Sequence, residues 1–206
     1  MPMVDVYNLK HESVGTIDLS EAVFDASVRE HLFHEVVRAQ MASKRSGNAK
    51  VKERGEIRGS RRKLWKQKGT GRARVGDRKA PHWVGGGIAH GPRTRDYAIK
   101  VNKKLRREAL RCALSRRQQE GRLLVLEDFQ LEAIKTKSVT AVLSAFDAQK
   151  ALIVDGPNET LALSTNNLAA SNYLTVDQLN VYDVLLHDTL LVTRRAVEAI
   201  EGRLGK

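Results

Sequence analysis

The chain has 206 residues, with 36 Lys and Arg against 24 Asp and Glu, a formal charge of +12, and one cysteine. That length accommodates one domain with an apolar core plus an additional segment, and a pI near 10.0 points to a polyanionic partner, nucleic acid first. A bilayer span is excluded, because the longest apolar stretch, Val184 to Val192, is interrupted by His187 and Asp188 and falls short of the ~18 residues required; an internal disulfide is excluded by the cysteine count.

In chain order, the opening MPMVDVYNLK carries no basic start, apolar core or cleavage site, and with Asp5 and Glu12 it predicts a protein that stays in the cytoplasm. Val4, Val6 and Leu9, then Ile17 and Leu19, predict two short strands around a turn at Ser13 to Gly15. Leu32, Phe33, Val36, Val37 and Met41 form the apolar stripe of a helix. Beyond it the periodicity stops: nine of the 15 glycines lie between Gly55 and Gly91, where neither a period of 2 nor one of 3.6 is sustained. Leu105, Ala109, Cys112 and Ala113 then line one face of a helix from Val101 to Gln119, with Gly121 as its stop.

Short apolar runs alternating with helical segments complete the chain. LLVLE begins at Leu123, a helix covers Thr136 to Phe146, ALIVD begins at Ala151, YLTV at Tyr173 and TLLVT at Thr189, and a last helix starts at Arg194. Leu161 to Ala169 and Leu179 to Leu186 predict further short helices. Parallel strands need crossovers, so this alternation predicts an α/β fold, a mainly parallel sheet flanked by helices. No repeat of 20 to 50 residues is present, which excludes a solenoid.

Charge is distributed unevenly along this pattern. Ala42 to Arg122 holds 26 Lys and Arg against 6 Asp and Glu, whereas the remainder holds 10 against 18. The chain therefore divides into an acidic globular part, residues 1–46 and 101–206, and a long basic loop at 47–100, inserted after the first long helix. Composition alone leaves open whether the insert is a functional extension or a disordered linker, although Trp65, Trp83, Ile88 and Tyr97 are unusual in a solvated tail.

An α/β sheet invites an enzyme reading, and the residues do not supply one. No G-x-G-x-x-G follows a strand, and Lys68 precedes Gly69 and Thr70, the wrong order for a phosphate loop. Glu127, Asp128, Asp155 and Asp188 fall near strand ends, where caps and solvated turn residues are the commoner roles. His31 and His34 share a helix face without a third ligand, so no metal site is expected. Cys112 falls in an apolar stripe and reads as core. No cofactor, no small-molecule substrate and no catalytic residue are expected.

The informative stretch runs from Arg58 to Arg117. Its cations neutralise phosphate, its glycines let backbone approach closely, and Trp65, His82, Trp83 and Tyr97 offer planar faces to unpaired bases. Arg54 to Arg95 carries thirteen Lys and Arg against two acids, which would repel one another without an anionic partner. The candidate RNA-binding residues are Arg54, Arg58, Arg61, Arg62, Lys63, Trp65, Lys66, Gln67, Lys68, Gly69, Thr70, Gly71, Arg72, Arg74, Arg78, Lys79, His82, Trp83, Arg93 and Arg95 in the insert, with Lys103, Lys104 and Arg107 on the following helix.

Gln67-Lys68-Gly69-Thr70-Gly71-Arg72-Ala73-Arg74, followed by Ala80-Pro81, Trp83, Gly85-Gly86-Gly87 and Gly91-Pro92, closely resembles the pattern of the bacterial large-subunit ribosomal proteins of the L-four family. Lys103-Lys104 and the Ala109 to Ser115 helix match as well, and the motifs span about a quarter of the chain. The resemblance implies a non-enzymatic constituent of the cytoplasmic ribosome, with a three-layer, Rossmann-like domain and a loop that threads large-subunit (23S-type) ribosomal RNA and supports assembly. It places Gln67, Lys68, Gly69, Thr70, Gly71 and Arg72 at the loop tip, in the wall of the peptide exit tunnel beside the L-twenty-two protein. Some members also repress their own operon, a role on which these residues are silent. Leu64, Asp77 and His90 depart from the family pattern.

Overall fold

The computed structural model describes residues 2–131 and 133–205. It divides into two compact units, Met1–Met41 with Lys100–Lys206, and Ala42–Ile99.

The first unit opens on a hairpin of β1 (Met3–Tyr7) and β2 (Ser13–Asp18). Its turn lies earlier than the apolar pattern places it. The side-chain oxygen of Asn8 accepts from the backbone N–H groups of Lys10 and Glu12, both at 2.9 Å, and His11 takes a left-handed φ of 66°. This Asn-centred turn reverses the chain by Glu12, so Ser13 and Gly15 already pair with Tyr7 and Val6.

α1 (Glu21–Phe24) and α2 (Glu30–Ser43) follow. α1 is too short to show a period, yet Val23 and Phe24 are both fully buried. After the second unit come α3 (Lys103–Gln119), β3 (Leu123–Leu126), α4 (Thr136–Ala145), β4 (Ala151–Asp155), α5 (Glu159–Thr165), β5 (Asn172–Thr175), α6 (Val181–Leu186), β6 (Thr189–Thr193) and α7 (Arg194–Leu204). The strands join one sheet in the order β2-β1-β3-β6-β4-β5, with every pairing parallel except that of β1 with β2. The fold is thus α/β, with a mixed sheet of mostly parallel strands.

Apolar runs without alternation are what a sheet covered on both faces requires. Successive side chains still point to opposite sides. Leu152, Val154, Leu190 and Val192 join a core with residues of α1, α2, α3, α6 and α7, whereas Ile153 and Leu191 join another with Val139 and Leu143 of α4 and Leu161 of α5. Cys112 is buried in the first core and its thiol donates to the Ser27 carbonyl at 3.3 Å, which makes it a packing residue.

The helix ends are satisfied locally. Asn158, Asn180 and Thr193 cap α5, α6 and α7, their side-chain oxygens accepting from the N–H groups of Leu161, Asp183 and Ala196. Arg117 serves the other end of α6, its guanidinium donating to the carbonyls of Val184 and Leu185, each at 3.1 Å. The basic run from Arg58 to Arg117 therefore ends in a cation that is occupied inside the domain.

Candidate nucleic-acid interface

Ligands of parallel α/β sheets sit at the carboxyl ends of the strands, and there Asp155 and Asp128 have structural partners. Asp155 is buried; one carboxylate oxygen accepts from the Thr193 hydroxyl and the Gly156 N–H, each at 2.7 Å, and the other accepts from the Asn158 amide at 3.4 Å. It thereby positions the capping residues of α5 and α7. Asp128 accepts from the Phe129 N–H and the Gln130 amide, both at 2.8 Å. Glu127 and Asp188 are exposed, as are His31 and His34, and the described residues contain no group of three or more His, Cys, Asp or Glu able to hold a metal ion.

Asp155→Ala is expected to lower stability by about 1–3 kcal/mol, because two capping side chains and the Gly156 N–H lose their acceptor. RNA affinity should be unchanged. Denaturant unfolding and filter binding on the same preparation separate the two effects; a loss of affinity in the folded variant would return this sheet edge to the list of ligand sites.

The second unit, Ala42–Ile99, holds 17 Lys and Arg against four Asp and Glu. Between Lys44 and Asn102 no residue is in a helix or strand. The segment is nevertheless tied to itself. Arg95 N–H donates to the Gly47 carbonyl at 3.2 Å, Val51 N–H to Pro92 at 3.2 Å and Ile88 N–H to Lys52 at 3.1 Å, so an outgoing and a returning arm run antiparallel. Further out, Gly87 N–H donates to Lys79 at 2.9 Å and Leu64 N–H to Gly76 at 3.1 Å, and the Trp65 indole N–H donates to the Ala73 carbonyl at 3.0 Å.

Glycines fall into two groups on this scaffold. A Cβ on Gly47, Gly86, Gly87 or Gly91 would lie 2.0 to 2.3 Å from Arg95, Ala80, Arg54 or Val51 respectively, so these positions allow one stretch of chain to touch another. Gly69 and Gly71 have nothing within 4 Å and take φ of +84° and +64°, so the outermost turn needs them for backbone conformation alone.

Electrostatics sort the cations in the same way. Asp77 is buried and accepts from Arg54 at 3.2 Å, Lys50 pairs with Glu56 at 2.7 Å, and Arg93 pairs with Glu53. The Lys50 ammonium, donating to Glu56, holds that carboxyl below its ordinary value. Arg45 and Arg95 lie over the Tyr97 ring, 3.9 and 4.5 Å from its centre, and the hydrogen bond from Arg95 holds the phenol below its usual value. Lys79 is buried, its ammonium donating to the Ile57 carbonyl at 3.0 Å. Each of these side chains serves the loop itself.

What remains is a continuous surplus. Arg58, Arg61, Arg62, Lys63, Lys66, Lys68, Arg72, Arg74 and Arg78 are exposed, and none makes an ion pair among the described residues. Gln67, Thr70 and His82 are exposed too, while Trp65 and Trp83 are half-buried. In the first unit, Lys103, Lys104, Arg106 and Arg107 crowd the first turn of α3, which has no acidic residue and no side-chain N-cap. Arg106 escaped the sequence reading; helical spacing, which sets it beside Lys103, was the signal that could have found it.

Residues 17–203 match the model of the ribosomal protein L4/L1 family. The chain belongs to that family. Large ribosomal subunit protein uL4 of Anaeromyxobacter dehalogenans is 48% identical over 206 residues, the whole of both chains. The protein of the same name from Desulfotalea psychrophila is 45% identical over 205 residues, covering 99% of this chain and 97% of its own, and that from Clostridium novyi is 43% identical over 202 residues, 98% of each. The L4/L1 family is one of ribosomal proteins, not enzymes. No helix among the described residues is long and apolar enough to cross a membrane.

Proposed function

We propose that the chain is a structural constituent of the large ribosomal subunit in the cytoplasm, with a three-layer domain and a basic loop that threads ribosomal RNA. The observation that carries this reading is the row of nine exposed, unpaired cations between Arg58 and Arg78. Charges so close repel one another in the free protein, and phosphates entering between them relieve that repulsion and release counterions. The arms then anchor the loop, with Arg61, Arg62 and Lys63 against phosphates, while the tip from Gln67 to Arg72 lies in the exit-tunnel wall near the L-twenty-two protein. Its open glycines fit a turn in a confined space.

The first turn of α3 is a second RNA-binding surface. Cations at a helix N-terminus oppose the helix dipole, at a cost of about 0.3–1 kcal/mol each, and a bound phosphate reverses that sign. Replacing Lys103 and Lys104 by Glu is therefore expected to raise the stability of the free protein by about 0.3–1 kcal/mol per substitution while weakening RNA binding. Unfolding midpoints and filter binding test the pair; a variant that is destabilised and binds normally would remove this turn from the interface.

The tip assignment has its own test. Lys68→Glu sets a carboxylate among RNA phosphates and should change the footprint of a tunnel-binding macrolide and the nascent-chain crosslinks, while the large subunit still assembles. An unchanged footprint and unchanged crosslinks in assembled subunits would move the tip out of the tunnel.

A further inference from the structure

We propose that a groove within the Ala42–Ile99 unit receives an unpaired RNA nucleotide, its base stacked on Trp65 and its phosphates held by the cations of the groove. This rests on the RNA-binding reading above and adds where and how a base is taken. The groove has a volume of about 970 Å³. Arg58, Arg62, Lys63, Lys66, Arg78 and Lys79 supply its charge, and no acidic residue lines it. The rest of the wall includes Ile57, Leu64, Trp65 and Val84.

Two features define the occupant. The six cations call for an anion, and the apolar wall calls for an uncharged face beside that anion. Inorganic phosphate meets only the first demand and an apolar peptide only the second; a nucleotide meets both. Ligand pockets span roughly 300–1,000 Å³, so a nucleotide enters this volume without the groove having to unfold.

Trp65 is the platform because it is held in place and is the aromatic that lines the groove. Its indole N–H donates to the Ala73 carbonyl at 3.0 Å and the neighbouring Leu64 N–H to Gly76 at 3.1 Å, so the ring is placed before the ligand arrives, which reduces the ordering cost of binding. Arg72 lies over the ring, 5.7 Å from its centre, so the base stacks on the face that this single guanidinium leaves uncovered. Tyr97 already carries two guanidinium groups, and neither it nor Trp83 lines the groove.

Lys79 points independently to an anion. It is 7% exposed, it lines the groove, and its ammonium has three N–H donors with one acceptor among the described residues, the neutral carbonyl of Ile57. A buried ammonium without a carboxylate partner is costly. A phosphate in the groove provides the missing charge.

Two probes of equal length and charge separate base from phosphate: a ten-nucleotide oligouridylate, and a ten-unit abasic ribose–phosphate oligomer. The full chain should bind oligouridylate on the order of tenfold more tightly, within the range of one base stacked on an aromatic ring. Trp65→Ala should remove that preference and keep the affinity for the abasic oligomer; Trp65→Phe should keep most of the preference. Oligouridylate should quench tryptophan fluorescence in the native chain and not in Trp65→Phe. Equal binding of both probes by the native chain, a preference that survives in Trp65→Ala, or quenching that persists in Trp65→Phe would overturn the groove assignment and leave RNA binding standing. Failure of the native chain to bind either probe would overturn the RNA-binding reading and the groove with it.

Discussion

Removing residues 55–91 should flatten the salt dependence of RNA binding more than any other change to this protein. Each phosphate contact on single-stranded nucleic acid contributes about −0.7 to the slope of log affinity against log salt, so one contact from each of the nine unpaired cations would account for about −6. Those nine contacts alone weaken binding by on the order of 10³ to 10⁴ between about 50 and 200 mM salt. The shortened chain loses them and keeps the four cations of the α3 first turn, so a shallow dependence should remain. Salt titrations of the two proteins against the same RNA read the difference directly. An unchanged slope would place the RNA site on the α/β domain.

The second large effect concerns backbone rather than charge. In Gly87→Ala the new Cβ would lie 2.3 Å from the Arg54 nitrogen and 2.6 Å from its Cα, and neither atom can rotate away. The two stretches must separate, and the Gly87 to Lys79 hydrogen bond goes with them. A clash of this kind costs about 1–3 kcal/mol, which opens the loop on the order of tenfold more often and speeds proteolysis of the insert by the same factor. Gly76→Ala is the control, having free space around its Cβ and no positive φ. Equal cleavage rates for the two variants would show that the arms are not held together. Should Gly76→Ala instead be the one that loses RNA affinity, its glycine is present for phosphate approach.

The apolar runs at Leu123, Ala151 and Thr189 are four or five residues long, too short for a buried helix and suited to a sheet covered on both faces, and the helical stripes of α2, α3 and α4 follow from their period. The hairpin turn moved because Asn8 binds two backbone N–H groups, a local hydrogen-bonding effect that apolar spacing does not register. α1 was missed because four residues hold no period.

In the insert, composition reveals the cationic surplus and not its division of labour. Nothing in the pattern around Arg54, Lys79 and Arg93 distinguishes them from Arg58 or Arg61, yet Arg54 closes on a buried Asp77, Lys79 is itself buried and Arg93 pairs with Glu53. Asp77, an acid among these cations, is the partner that holds an arm in place. Glycines behave alike: in sequence Gly69 and Gly87 are equivalent, and only the folded loop separates a free turn from a point of contact. Such distinctions arise from long-range pairing, between residues 23 positions apart for Arg54 with Asp77 and 40 apart for Arg93 with Glu53.

On the function proposed above, the chain sits in the large ribosomal subunit and is held there by RNA contacts of its basic loop. Fractionation of cell lysate on a sucrose gradient, before and after a high-salt wash of the pooled subunits, tests it most directly. The protein is expected in the large-subunit peak and, with its loop threaded through RNA, still there after the wash. Recovery at the top of the gradient with free proteins, before any wash, would contradict that placement.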